Sequence, residues 1–503
     1  MTAAAPAAPA APAAPAPSPA SPNAALVAKK AAAAAASAAK QEANARGTPV
    51  GFVVILLQIL VFVALTWRFR QAFFPLASVV AVGFVVHYWT PLRFKEACWF
   101  AITIVGGAYL TSRDGSLTMA VASVGLVLGV AVVIYAIVAS PLPYLARLAL
   151  VAGLFAGIML LGGGKQPIWR APAGFYFVMA GIFILRIVPY LYEAKYFKER
   201  ASFLEYVRYF FMLPGFKLAT PVADFQKLKQ VIYPRPAREI AQQGIIWIAR
   251  GAIQFAVFVW LEPHLHYVDS ASAHRSPRLV AVHLVCAYAQ YLRTSSRIHM
   301  YLGIVHLFGY DLPACFRWFG LAHGPLDFWR RTNIYWKDAM TKIVYFPVYF
   351  ALRKKHDAGA KLFALVMVFV VSWALHVWQE AWVLGVKTPI WTLAATWWQE
   401  AACWTAFMVL CLGNLILEIR DEAKPKKPVQ RLPPRAAAPA PGLAGLAARA
   451  RAYVIEQLGV PRDMHPLRAA AQIFAMQLAV AVVFSLRHAS SIRVWLNTLA
   501  WWH

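Results

Sequence analysis

The chain has 503 residues, of which 60% are hydrophobic and only 14% are charged. This composition excludes an ordinary soluble domain and predicts a polytopic membrane protein. Lysine and arginine number 49 against 21 acidic residues, a formal net charge of +28. No nucleic-acid-binding motif accompanies this excess, so we expect no nucleic-acid partner and attribute the charge to the basic cytoplasmic loops of a membrane protein.

The first 46 residues or so form an Ala/Pro-rich tract of low complexity. The tract lacks the basic start, short apolar core and cleavage site of a signal peptide. It predicts a disordered cytoplasmic tail before a membrane core over residues 47–417.

Apolar runs of about the length of a membrane span begin at Gly51. Arg147 and Arg186 lie inside them, and we expect their long side chains to reach an interface. The six runs predict a scaffold half of the bundle and cover approximately residues 51–67, 72–90, 97–111, 117–139, 143–163 and 173–192.

Residues 193–243 are rich in basic residues and interrupted by prolines. This pattern predicts a cytoplasmic segment with a short re-entrant helix pair. Its bases suit the phosphates of an anionic donor such as coenzyme A, although a plain basic loop remains an alternative.

Further apolar runs raise the expected total to roughly 11–13 membrane helices, including short re-entrant ones. Residues 418–468 predict a cytoplasmic linker, in which residues 443–458 could form an amphipathic surface helix, and residues 469–503 predict a C-terminal membrane helix and tail. The later runs cover about 244–262, 278–292, 298–310, 340–352, 360–384, 389–417 and 469–487.

No metal or disulfide framework is predicted. His264, His266 and His274 are close together, but no cysteine or carboxylate pattern completes a ligand set. The five cysteines lie in or beside apolar segments without pair spacing. They are Cys98, Cys286, Cys315, Cys403 and Cys411.

Residues 328–384 carry the most informative pattern in the chain. A charged and aromatic segment predicts an interfacial helix and precedes a long apolar helix that contains His376 and Glu380. An ionisable residue inside a membrane span is a functional candidate, because its burial is costly without a partner or a wet cavity. The alternative is a structural histidine that hydrogen-bonds a helix carbonyl.

Four patches between Ser202 and His376 resemble the membrane-bound O-acyltransferase family, and most closely its bacterial branch of alginate O-acetyltransferases and D-alanyl transferases. They follow the family's order along the chain. The patches are Ser202-Phe203-Leu204-Glu205-Tyr206 with Phe211-Met212-Leu213-Pro214; Tyr301-Leu302-Gly303 with Leu307-Phe308-Gly309-Tyr310-Asp311-Leu312-Pro313; Phe328-Trp329-Arg330-Arg331 with Lys337-Asp338 and Tyr345-Phe346-Pro347; and Ser372-Trp373-Ala374-Leu375-His376.

The resemblance implies an all-α fold around a central tunnel, with His376 as the catalytic histidine. Asn333 stands where bacterial relatives carry a second histidine, which is similar to the Asn-plus-His arrangement of the sterol and diacylglycerol branches. Arg293 and His299 replace two acidic positions of the family pattern.

These residues predict acyl transfer from a thioester, with acyl-CoA as the expected donor and no bound cofactor. His376 would be the general base and Asn333 the group that polarises the carbonyl. The expected acceptor is a hydroxyl of a lipid, glycan or other molecule, and partner proteins of polysaccharide modification are conceivable. Further predicted substrate-binding residues are Trp329, Arg330, Arg331, Asp338, Ser372 and Trp373.

Two alternatives remain open at this point. A transporter or flippase would use His376 and Glu380 as a proton relay. A non-catalytic subunit of a polysaccharide-modifying complex would keep the fold without turnover. In all three cases we expect an integral protein of a bacterial inner membrane, with the N-terminus in the cytoplasm.

Overall fold

A computed structural model describes most of the chain as helix. It covers residues 22–69, 73–113, 115–162, 170–172, 174–197, 201–218, 221–263, 276–383, 397–422, 465–488 and 492–499. Within these ranges the β-structure amounts to one isolated bridge between Ile232 and Tyr310. The predicted fold class, an all-α polytopic membrane protein, is confirmed.

The described helices divide into long and short ones. The helices of 16 residues or more are Pro22–Ala45, Pro49–Phe69, Phe74–Trp89, Leu92–Ser112, Leu117–Ala139, Tyr144–Gly162, Ala237–Leu261, Pro277–Leu307, Asp357–Val383, Trp398–Glu422 and Pro466–Ser485. The short α-helices are Phe175–Met179, Ile187–Ala194, Phe203–Phe210, Phe225–Gln230, Pro325–Arg331, Ile334–Met340, Phe346–Leu352 and Ile492–Leu499. Two π-helical segments, Ala180–Ile184 and Thr341–Tyr345, and three 3-10 turns, Leu213–Phe216, Phe319–Leu321 and Leu486–His488, complete them.

Within the described ranges, seven helices are long and apolar enough to cross a membrane, or eight if the bent pair Phe175–Ile184 and Ile187–Ala194 is one span. The chain is therefore an integral membrane protein. The predicted total of 11–13 is higher because it included shorter pieces such as Phe74–Trp89. It also divided one helix into two.

That helix is Pro277–Leu307, which runs unbroken through the two predicted spans 278–292 and 298–310. The polar stretch between them does not end the helix, and two polar residues in it or just after it, Ser295 and His299, have partners inside the bundle. Gln254 Oε1 accepts a hydrogen bond from Ser295 Oγ at 3.1 Å and lies 2.9 Å from His299 Nδ1. Side-chain partners of this kind are not visible in hydropathy.

The N-terminal tract also differs from its prediction. Residues 22–45 form a helix, whereas residues 1–21 lie outside the described ranges. Alanine has the highest helix propensity, which explains why this low-complexity stretch is helical. Gln41 and Asn44 anchor it by donating to the carbonyls of Ile232 at 2.9 Å and Tyr233 at 3.1 Å.

The expectation that Arg186 reaches an interface is wrong, because its side chain is 2% exposed. Its guanidinium donates to Pro221 O at 3.1 and 3.2 Å and to Tyr301 Oη at 3.1 Å, and it also bonds Tyr209 O. This arginine joins the segment around Tyr209 and Pro221 to the helix Pro277–Leu307. All of these partners lie within the protein, so the role of Arg186 is structural.

At the C-terminal end of the chain, the membrane helix begins at Pro466, and the predicted amphipathic piece at 443–458 lies outside the described ranges.

The helices Ala237–Leu261 and Pro277–Leu307 approach closely at glycines. A methyl group added to Gly303 would lie 2.5 Å from Gly244 O and 2.8 Å from Ile248 N. Small residues permit such backbone contact between membrane helices.

We therefore expect Gly303→Ala to destabilise the protein by about 1–3 kcal/mol, because backbone atoms cannot move aside as a flexible side chain can. The readout is the midpoint of thermal unfolding in detergent. Gly129→Ala is the matched control, since nothing lies within 4 Å of the methyl group it adds. Equal midpoints for the two variants would contradict the close crossing.

Candidate functional site

His376 lies on the helix Asp357–Val383, which packs against the helix Trp398–Glu422. Lys361 and Glu422 form an ion pair of 3.1 Å at one end of this pair. Glu380 and Glu400 line a common cavity nearer the other end. The two helices are therefore antiparallel, and His376 lies nearer the end that holds Glu380.

The hydrogen bond of His376 defines its tautomer. Its Nδ1 lies 2.7 Å from Ser372 O, one helical turn earlier. A carbonyl oxygen can only accept, so in the neutral ring Nδ1 carries the proton and Nε2 keeps its lone pair. The ring is half-buried and lines the cavity. This is the arrangement that a general base requires.

Tryptophan rings hold the imidazole in place. The ring centroids of Trp336 and Trp404 lie 5.0 and 5.2 Å from that of His376. Trp336 Nε1 donates to Ser372 Oγ at 3.1 Å, and Trp329 stacks on Trp404 at 5.8 Å. Ser372 thus fixes the histidine through its carbonyl and the tryptophan through its hydroxyl.

Asn333 lies at the start of the helix Ile334–Met340 in a left-handed backbone conformation, with φ 38°. Asparagine tolerates this conformation better than most residues. Ile334 N donates to Cys315 O at 2.9 Å, and Cys315 Sγ donates to Asn333 Oδ1 at 3.5 Å. Burial raises the pKa of the Cys315 thiol to about 12, so it stays a donor. The amide NH₂ of Asn333 is then the group left for a substrate.

His376, Asn333 and Trp329 meet at one cavity of about 670 Å³, which we call the polar cavity. Three arginines and two glutamates also line it, and Arg487 forms an ion pair with Glu400. The charged residues are Arg293, Arg297, Arg487, Glu380 and Glu400.

A second cavity of about 340 Å³ adjoins the polar one, and we call it the apolar cavity. The two share Trp329, Trp336 and Trp404, which therefore form a common wall. Most of its lining is aliphatic or aromatic, and Arg330 and Lys337 contribute charge.

Three predicted substrate-binding residues do not line either cavity. Arg331 is 8% exposed and donates to Asp327 at 2.8 and 2.9 Å. Asp338 pairs with Lys337 at 2.5 Å. Trp373 lies three residues before His376, but it is half-buried and lines neither cavity, and its Nε1 is buried without a hydrogen-bond partner. Ser372 and Arg330 line the apolar cavity, as a substrate-contacting role requires.

The sequence does not single out Trp404, Glu400 or Arg487. They follow His376 in the chain on other helical elements, and no local motif marks them. In the part of the chain that the structure describes, no group of three His, Cys, Asp or Glu residues could hold a metal ion. No protein-family model matches the sequence, and no curated protein matches it.

Arg331 and Arg330 can be compared to test which arginine is structural and which can bind a substrate. Arg331→Gln should lower stability by about 1.5–3 kcal/mol, because it removes a buried charged hydrogen bond. Arg330→Gln should cost less than about 1 kcal/mol, since the 3.1 Å pair of Arg330 with Glu418 is exposed. Thermal unfolding of both variants measures this difference. If Arg331→Gln instead binds the acyl donor more weakly and keeps its stability, Arg331 has the substrate-binding role that the sequence predicts.

Proposed function

We propose that the protein is a membrane-bound O-acyltransferase that moves an acyl group from a thioester, with acyl-CoA as donor, to a hydroxyl. One observation carries the proposal: the free nitrogen of His376 belongs to a ring that lines the polar cavity together with Asn333, at the wall shared with the apolar cavity. Base, polariser and two substrate spaces of different polarity converge there.

The apolar cavity is the better site for the acyl donor. Its aliphatic lining accommodates an acyl chain or the pantetheine arm, and Arg330 and Lys337 can attract phosphates. Both cations already have a carboxylate partner, Arg330 in Glu418 at 3.1 Å and Lys337 in Asp338 at 2.5 Å, and so do bases of residues 193–243. Lys229 pairs with Glu205 at 2.5 Å and Arg235 with Asp311 at 2.7 Å, and the guanidinium of Arg235 holds the pKa of Asp311 well below its usual range.

The residues support a one-step transfer in a ternary complex. Nε2 of His376 takes the proton of the acceptor hydroxyl, and the hydroxyl oxygen attacks the thioester carbonyl. The Asn333 amide donates a hydrogen bond to the developing oxyanion. The carbon–sulfur bond then breaks, and the thiolate leaves with the proton from His376. The products are an ester and free thiol, and no acyl-enzyme is needed.

The setting of this reaction follows from the same proposal. We place the protein in a bacterial inner membrane with the N-terminus cytoplasmic, because the basic segments favour that side. The acceptor enters the polar cavity from the lipid or the far side. The proposed acceptor is a lipid or a glycan, and the proposed partners are proteins of polysaccharide modification.

A proton-coupled transporter is the second candidate, because His376 and Glu380 line one cavity and are one helical turn apart. Purified protein with labelled acetyl-CoA and a panel of hydroxyl acceptors separates the two. An acyltransferase yields labelled ester without a proton gradient. A transporter yields proton flux in liposomes without ester, and a non-catalytic subunit yields neither.

His376→Ala should lower acyl transfer by about 10²–10⁴-fold, because the general base is lost. The measurement is labelled ester formed per minute by purified protein of unchanged oligomeric profile. His356→Ala is a matched control at the exposed start of the same helix, where His356 Nδ1 accepts from Gly359 N at 2.8 Å. Undiminished turnover by the His376 variant would contradict the proposed role of His376 as the general base.

Asn333→Gly should lower turnover by about 10²–10³-fold, because it removes the oxyanion donor while glycine accepts the positive φ. Asn333→His should retain part of the rate, since a histidine can donate and also tolerates this conformation. The comparison of the two rates at saturating donor is the test. Wild-type turnover by Asn333→Gly would make Asn333 a structural residue.

A further inference from the structure

A third cavity, of about 300 Å³, is lined by none of the residues that form the polar or the apolar cavity, and we call it the basic pocket. Beside it, residues 140–143 join two candidate membrane spans, Leu117–Ala139 and Tyr144–Gly162. So short a connection between two spans lies at a membrane surface, and the pocket therefore lies there too. Its lining includes Tyr135, Val138, Arg147, Tyr190, Lys195 and Ala201.

Arg147 lines this pocket from the first turn of the helix Tyr144–Gly162, and the protein uses only part of its guanidinium. Its Nη1 donates a hydrogen bond to Val138 O at 3.0 Å, near the end of the preceding helix. Its Nε is buried without a hydrogen-bond partner. A buried N–H without an acceptor is unfavourable, so an anionic oxygen that accepted from Nε would be stabilised there.

Lys195 supplies a second positive charge to the basic pocket, directly after the helix Ile187–Ala194. Its Nζ lies over the rings of Tyr144 at 5.5 Å and Tyr196 at 5.3 Å. Among the described residues no carboxylate forms an ion pair with it, and residues 198–200 lie outside the described ranges. The ammonium group thus rests on aromatic rings, which leave its N–H donors available to an anion.

The two carboxylates nearest in sequence to this lining have partners elsewhere. Glu193 pairs with Lys342 and accepts a hydrogen bond from Phe225 N at 2.9 Å. Glu205 pairs with Lys229 at 2.5 Å. Within the described part of the chain, no acidic residue lines the basic pocket. Two cations without a lining carboxylate favour a ligand of net negative charge.

The surface next to the basic pocket is apolar. Leu142, Leu145 and Leu148 are 38%, 74% and 39% exposed. The helix Tyr144–Gly162, which carries two of them, is only 11% buried inside the protein. Exposed leucines on a candidate membrane span indicate contact with lipid acyl chains rather than with water. The ligand therefore has an apolar part that lies outside the pocket.

We propose that the basic pocket binds the headgroup of an anionic phospholipid, with Arg147 and Lys195 as the partners of its phosphate and the acyl chains along the helix Tyr144–Gly162. A volume of about 300 Å³ suits a headgroup rather than a whole lipid. A zwitterionic headgroup is disfavoured, because its ammonium group would meet two cations and no carboxylate. This site is separate from the proposed acyl transfer and does not depend on it.

The test compares two lipids with identical acyl chains, dioleoylphosphatidylglycerol and the zwitterionic dioleoylphosphatidylcholine. Each is titrated into purified full-length protein in a neutral detergent, and bound lipid is counted by native mass spectrometry. Wild type should bind the anionic lipid about tenfold or more tightly. Arg147→Gln and Lys195→Gln should each weaken that binding by about three- to tenfold and leave the zwitterionic lipid unaffected.

Lys355→Gln is the matched control, since it removes one charge from an exposed lysine that does not line the pocket. Lys195 is exposed as well, so Lys195→Gln keeps the proposal testable if Arg147→Gln, which loses the bond to Val138, does not fold. Equal affinity of wild type for both lipids would overturn the proposal. So would an equal loss in Lys355→Gln, which would indicate general attraction to the net charge of +28.

The thermal unfolding midpoint of the same variants tests the structural alternative. The two cations lie near the C-terminal ends of helices, where positive charge is stabilising in itself. A lower midpoint for Lys195→Gln with an unchanged preference for the anionic lipid would assign the cations to the helix ends alone and contradict the lipid site.

Glycerol 3-phosphate and coenzyme A are the probes for a soluble source of phosphate. Neither should compete with the anionic lipid at equal concentration, because neither has acyl chains to lie against the exposed leucines. If either displaces the lipid and is itself weakened by Lys195→Gln, the ligand is a soluble phosphate and the assignment to a lipid is wrong. His376→Ala should keep the lipid preference while it loses transfer, which separates this site from the proposed reaction.

Discussion

Inside an apolar bundle, every polar group needs a partner, and this constraint sorts the polar residues of the protein by role. The guanidinium of Arg186 donates hydrogen bonds to carbonyls and a hydroxyl, so it holds the segment around Pro221 in place. His376 uses one nitrogen on its own helix and leaves the other toward a cavity. Arg297 leaves its Nε without a partner. His376 and Arg297 both line the polar cavity, where a substrate could complete their hydrogen bonds.

Ser372 has an unusual share in this arrangement. Its carbonyl fixes the tautomer of His376, and its hydroxyl accepts from Trp336, whose ring lies against the same imidazole. One small residue therefore orients both the base and part of the wall between the cavities. Such double support is what a site needs when the reacting groups must keep their geometry without help from water.

Hydropathy predicted the helical membrane fold. The structure places three of the predicted site residues, His376, Asn333 and Trp329, at one cavity, although nothing in their local patterns measures the distances between them. The sequence could not separate Arg331 from Arg330, because the difference lies in the burial of Asp327 beside one of them. The sequence also predicted two spans where the structure has the single helix Pro277–Leu307, because hydropathy does not show that Ser295 bonds Gln254 on another helix. Trp404 and Arg487 join the site through tertiary packing alone.

The tryptophan wall gives the two cavities different chemical environments at a single boundary. In the proposed reaction an acyl chain would lie on the aliphatic side, where its apolar surface is removed from water, and the hydroxyl acceptor would lie on the side of the polar cavity. In that reaction a thioester on the aliphatic side would have little access to water, and its carbonyl would meet the base at the wall that the two cavities share. Because the hydroxyl competes with water for the same acyl group, a dry donor side would favour transfer over hydrolysis. The polarity difference across three aromatic rings is thus as much a part of the proposed chemistry as the histidine itself.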